Sequence, residues 1–167
     1  PNAVQALKYG VTQSYGADIT SNNSGDMFFP LRAALQIGRC QLNEKHDGGF
    51  FDGVPISCEQ ALAWGTIDGA KAVGLDHLVG SLTPGKQADI VMINTDSLTL
   101  TGWDRNNAAG TILMQSSVKD IDTVMVAGKV VKKDGKLLAD TKRACGLIQA
   151  ATDRVATIVN DNQGGFY

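Results

Sequence analysis

The stretch Gly10-Val11-Thr12-Gln13-Ser14-Tyr15-Gly16-Ala17-Asp18-Ile19-Thr20-Ser21-Asn22-Asn23-Ser24-Gly25-Asp26 sets the reading of this chain. Its first half has strand chemistry. Val11 and Thr12 are β-branched and Tyr15 is aromatic, residue types that suit a pleated surface. A strand is therefore predicted over residues 11–16. Gly16-Ala17-Asp18 then brings a carboxylate to the end of that strand, at the mouth of a polar loop. α/β enzymes keep catalytic groups at such places. Spacing alone favours a turn former or a helix cap at Asp18.

Past the loop, Met27, Phe28, Leu31, Ala34 and Leu35 recur at the spacing of an amphipathic helix. Asp26 can cap it, and Pro30 falls in its first turn, where a missing N–H costs least. On the other side, residues 3–9 read as a short helix ending at Gly10, with Asn2 placed to cap it. Residues 43–54 are a Gly-rich loop whose Phe50 and Phe51 tuck into a neighbour or sit at a subunit contact. Ser57-Cys58-Glu59-Gln60 is a capping box. The helix it opens carries Ala61, Leu62, Trp64 and Val73 and runs to Gly74. Gly65 and Gly69 share a face of it and permit close approach of another backbone.

The texture then turns to strands. Ser81-Leu82, a turn at Thr83-Pro84-Gly85-Lys86, and residues 88–93 are predicted to form a hairpin. Residues 104–115 are a short helix or an irregular crossing. A second hairpin runs over residues 123–126 and 129–133, and Asp134-Gly135 turns the chain into Lys136-Leu137-Leu138. A last helix is predicted from Thr141 to about Asn160, with Ala144, Ile148, Ala151, Val155, Ile158 and Val159 on one face. The Gly- and Asn-rich tail follows.

Three pieces together resemble a known family. They are Gly10-Val11 with Gly16-Ala17-Asp18 and Ser21 to Phe28, continued through Ala61 to Gly74; Gly80-Ser81-Leu82-Thr83-Pro84-Gly85-Lys86-Gln87-Ala88-Asp89-Ile90-Val91; and Val124 to Leu138. They resemble the C-terminal portion of amidohydrolase superfamily enzymes, in the branch of chlorotriazine hydrolases, cytosine deaminase-like enzymes and methylthioadenosine/S-adenosylhomocysteine deaminases. Ala17 stands where that branch usually has Thr. The fold implied is mixed α/β. Residues 1–78 would form the final helix–strand–helix segment of a (β/α)8 barrel. Residues 79–138 would supply strands of an accessory β-sandwich, and 139–167 a C-terminal helix and tail. A whole barrel of this kind takes about 250 residues, so the chain's 167 would belong to a longer enzyme whose N-terminal part completes it.

The chemistry implied by the resemblance is hydrolysis of C–N bonds in a heterocyclic or amide small molecule. A divalent metal, zinc in preference to iron, lowers the pKa of a bound water toward about 7. Asp18 would be both metal ligand and general base, passing the water's proton to the leaving amine. The family's other metal ligands are a His-x-His from the first strand and two further His from middle strands. This chain has only His46 and His77, both read as solvated, so the chain alone should not retain the metal. Ser21, Asn22 and Asn23 could face the substrate or satisfy their own loop backbone. Lys86 and Asp89 are read as turn and sandwich structure, and Lys132-Lys133 as a solvated sheet edge. Cys40, Cys58 and Cys145 are read as small buried residues with no disulfide framework, which suits a reducing, cytoplasmic setting.

The net charge of −2 gives no basic footprint for nucleic acid. No apolar run approaches the roughly 20 residues of a membrane span. The partners expected are a small-molecule substrate, the N-terminal part of the same protein and, as in relatives, further copies in a homo-oligomer. The alternative function is a non-catalytic module that packs or oligomerises.

Overall fold

The apolar stripe at residues 27–35 folds as expected into α2, Phe28–Glu44. A computed structural model describes residues 3–20, 23–48 and 53–161. Leu31, Ala34, Leu35 and Gly38 are the buried face of α2. They pack with Ala3 of α1 (Ala3–Lys8), with Ala61 and Trp64 of α3 (Cys58–Trp64), and with Ile56 and Leu113. Burial of this apolar surface is the main force holding the helical layer together. Arg39 secures the loop that enters α3: its Nε and Nη2 donate to Ile56 O at 3.0 and 2.7 Å.

Ser57 opens α3 as its sequence predicts, its Oγ accepting from Gln60 N at 3.1 Å. The helix does not continue to residue 74. It stops at Gly65, and α4 (Ile67–Ala72) starts afresh after Thr66. Two glycines in one short helix weaken it, and Gly65 makes room for a neighbour. A Cβ there would lie 2.5 Å from Leu31 Cδ1, so the close approach inferred for Gly65 is to a side chain of α2.

The sheet has four antiparallel strands in the order β1-β2-β3-β4. They are β1 (Ile90–Ile93), β2 (Ile121–Val126), β3 (Lys129–Lys133) and β4 (Lys136–Leu137). The second hairpin is as predicted. Ala127-Gly128 and Asp134-Gly135 all have positive φ, the backbone that two-residue hairpin turns require. The first hairpin is not formed. Residues 81–82 are no strand, and β1 pairs instead with β2, Val91 opposite Val124. The longer, β-rich Ile121–Val126 is the better ladder partner. The Thr83–Lys86 turn survives (Lys86 N to Thr83 O, 3.2 Å). Lys86 Nζ donates to Val79 O at 3.2 Å, and Asp89 Oδ1 accepts from Ala127 N at 2.6 Å, so both charges are structural, as read. Lys132 and Lys133 do not lie on an edge, because β3 runs between β2 and β4. Lys132 Nζ reaches Val118 O at 3.3 Å.

Between β1 and β2 the chain crosses the helical layer through a 3₁₀ turn (Arg105–Asn107), one short α turn that we call α5 (Ala108–Gly110), and a single π turn (Thr111–Gln115). The C-terminal helix α6 spans Thr141–Asp161. Residues 141–160 are all exposed, so its apolar face lies open. Cys40 and Cys145 are exposed and Cys58 half-buried, against the expectation of three buried thiols. Cys145 is on α6, whose residues 141–160 are exposed, and Cys40 lies off the buried face of α2. Among the described residues, no helix is long and apolar enough to cross a membrane. Phe50, Phe51 and the tail beyond residue 161 lie outside the described residues.

Candidate active site

The segment between α1 and α2 is extended, but it is not the predicted strand over residues 11–16; residues 11–19 carry no strand pairing. A strand exists by virtue of a neighbour's N–H and C=O groups, and none of the described chain lies alongside to supply them. Its start is fixed to α1 by Val11 N donating to Ala6 O at 2.9 Å.

The side chains nevertheless keep a two-residue alternation. Gln13 is buried and Tyr15 and Ala17 are half-buried, whereas Thr12, Ser14, Gly16 and Asp18 are exposed. The Tyr15 ring meets that of buried Trp64, centroids 5.4 Å apart. Its hydroxyl donates to Gln13 Oε1 at 2.8 Å, and burial pushes its pKa up. Gln13, Tyr15 and Ala17 thus hold the middle of the segment down on the helical core, and Thr12, Ser14, Gly16 and Asp18 face away from it. Gln13 Nε2 is buried without a partner among the described residues.

Asp18 is the last of the exposed even-numbered set. Its φ of 58° is left-handed, a conformation uncommon outside glycine and tolerated best by Asn and Asp. The backbone therefore turns sharply where the polar loop begins. Asn23 is exposed within that loop; Ser21 and Asn22 lie outside the described residues. At the loop's far end, Ser24 Oγ donates to Asp26 Oδ2, and Asp26 Oδ1 accepts from Phe29 N at 3.0 Å. Asp26 is thus the side chain that caps the first turn of α2, as predicted. The Ser24 hydroxyl, with the Phe29 and Phe28 amides and the Arg32 charge, holds its carboxyl below the usual range against the opposing effect of partial burial.

His46 and His77 are exposed, and no group of three His, Cys, Asp or Glu that could hold a metal occurs among the described residues. By themselves these residues do not fit a metal ion. Asp18 offers one carboxylate where three or four ligands are needed.

Two side chains hold this region in ways the sequence does not announce. The strand composition of residues 11–16 explains Tyr15 but not its bond to Gln13 or its contact with Trp64. Arg32 sits half-buried in the apolar half of α2. Its Nε donates to Leu113 O at 2.6 Å and its Nη2 to Ser116 O at 2.5 Å, joining α2 to the end of the π turn. A charged residue between Leu31 and Ala34 was the available clue.

Asp18, exposed and left-handed before the polar loop, thus stands on a helical layer beside a small antiparallel sheet, in a mixed α/β framework. The amidohydrolase family profile matches residues 1–131, and the chain belongs to that family. It is 34% identical over 147 residues to a 5′-deoxyadenosine deaminase of Methanothermobacter thermautotrophicus, covering 87% of this chain and 32% of that protein. A 5-methylthioadenosine/S-adenosylhomocysteine deaminase of Teredinibacter turnerae is 36% identical over 129 residues, covering 77% and 27%. Among solved structures, a zinc-bound adenosine deaminase from Xanthomonas campestris superposes with a TM-score of 0.81 at 25% identity, over 93% of this chain and 34% of that one. The chain thus spans about a third of the length of these relatives.

Proposed function

We propose that this chain is the C-terminal portion of a metal-dependent amidohydrolase that releases ammonia from a heterocyclic small molecule, with adenosine-type nucleosides such as 5′-deoxyadenosine as the substrate class. The observation that carries the reading is Asp18. It is exposed and left-handed, and it stands at the entrance to a polar loop in a chain matched to the family over residues 1–131. Asp18 takes the proton of the attacking water and delivers it to the departing amine. Ser21, Asn22 and Asn23 supply donors and acceptors to the heterocycle.

The zinc-bound relative supports one divalent cation, zinc in preference to iron. Asp18 would give it one oxygen, and ligands outside the described residues the others. In this reading residues 1–78 close a barrel, 79–138 contribute to a β-sandwich beside it, and 139–167 form a helix and tail. The complete enzyme works as a cytoplasmic homo-oligomer.

The test is ammonia release from 5′-deoxyadenosine by the full-length protein and its Asp18→Asn variant. General acid–base groups typically contribute 10²–10⁴-fold, so the variant should be slower by about a thousandfold with an unchanged melting temperature. A variant as fast as the parent, or a parent that deaminates no such nucleoside, overturns the proposal and leaves a packing module.

A further inference from the structure

Residues 11–19 carry no strand pairing, so side chains decide which way the middle of this segment faces. In an extended chain a slip of one residue turns every side chain to the opposite side, and Asp18 would then point into the helical layer. Two successive inward positions oppose that slip. The Tyr15 ring lies on Trp64, centroids 5.4 Å apart and planes tilted by 48°. Trp64 is 2% exposed and is the last residue of α3, so the wall it offers is firm. The Tyr15 hydroxyl donates to Gln13 Oε1 at 2.8 Å. Gln13 is 7% exposed, and its Nε2 has no hydrogen-bond partner among the described residues. This buried amide therefore depends on the Tyr15 hydroxyl for its hydrogen bonding.

We propose that Tyr15 is a positioning residue for the reaction, fixing the side of the segment from which Asp18 projects. This rests on the deaminase reading. Tyr15 packs on the helical layer and touches no reacting atom; it acts through Gln13, Trp64 and the backbone that leads to Asp18. Without its hydroxyl, Gln13 would hold a buried amide bonded at neither end, and such a group is costly. The amide would turn out toward water and roll the backbone with it. Replacing both partners by apolar groups of similar shape removes that cost.

Two measurements test it. In the full-length protein, Tyr15→Phe keeps the ring and loses the donor. It should lower kcat for 5′-deoxyadenosine about tenfold, the scale of one buried polar group left unbonded, with KM within about twofold. Combining Tyr15→Phe with Gln13→Met should return kcat to within about threefold of the parent, because no orphaned amide remains. In the 167-residue chain, Ala17→Cys places a thiol at a half-buried inward position. Adding Tyr15→Phe should speed its alkylation by iodoacetamide about tenfold, read by peptide mass so that the native cysteines are counted apart. An unmoved kcat in Tyr15→Phe, whatever the melting temperature, marks Tyr15 as a core residue and overturns the proposal. A loss that Gln13→Met does not repair overturns it too, as does an unchanged alkylation rate. Faster alkylation in the chain, with a full-length protein that releases no ammonia, sinks the deaminase reading and leaves the fixed orientation standing, so the two failures are separable.

Discussion

Asp26 gives the clearest single-residue prediction. Its carboxyl is held below the usual range chiefly by the Ser24 hydroxyl. A group depressed in the folded state contributes stability that is complete above its unfolded pKa, near 3.9 for Asp. That contribution fades as pH falls through the lowered value. Below about pH 4 the chain should therefore lose stability that Asp26→Asn never had. Urea midpoints at pH 6 and pH 3 should differ more for the parent than for Asp26→Asn; equal differences would show that the carboxylate form is not favoured on folding. At this scale the sequence was informative about type and less so about surroundings. Asp26 as a cap and Ser57 as an N-cap follow from short-range chemistry, whereas Asp89 is tied in by Ala127 N from a distant stretch of chain. The exposure of Cys40 and Cys145 does not follow either, because burial depends on what else packs nearby.

Among the elements, α6 stands apart. Its 3.6-residue pattern is strong enough to predict from sequence, yet residues 141–160 are all exposed. Surface elements that bury nothing add little to global stability. Ending the chain after Ala139 should therefore move its melting temperature by less than about 3 °C, measured by far-UV circular dichroism or calorimetry. A larger fall would mean that the face of Ile148, Ala151 and Val155 is covered in solution. Two other elements show how context overrides pattern. Residues 11–16 have strand composition and strand alternation, but they form no ladder without a neighbour. Residues 58–74 have one continuous helical pattern, but they break at Gly65, where Leu31 enters.

At the scale of the whole molecule, no set of three potential metal ligands occurs among the described residues. The 167-residue chain, dialysed after exposure to zinc, should retain well under one equivalent by atomic absorption. One equivalent retained, and lost in Asp18→Ala, would show a complete site within the chain. By itself the sequence determined the helix that follows Asp26, from its apolar stripe at residues 27–35, and the hairpin of β2 and β3 with its positive-φ turns. Each of these is set by residues close together along the chain. Only the tertiary structure decided that Tyr15 lies on Trp64, that Arg32 bridges to Leu113 and Ser116, and that β1 pairs with β2. Those contacts join segments whose local chemistry permits several partners, and the choice among them is made by which surfaces are buried together.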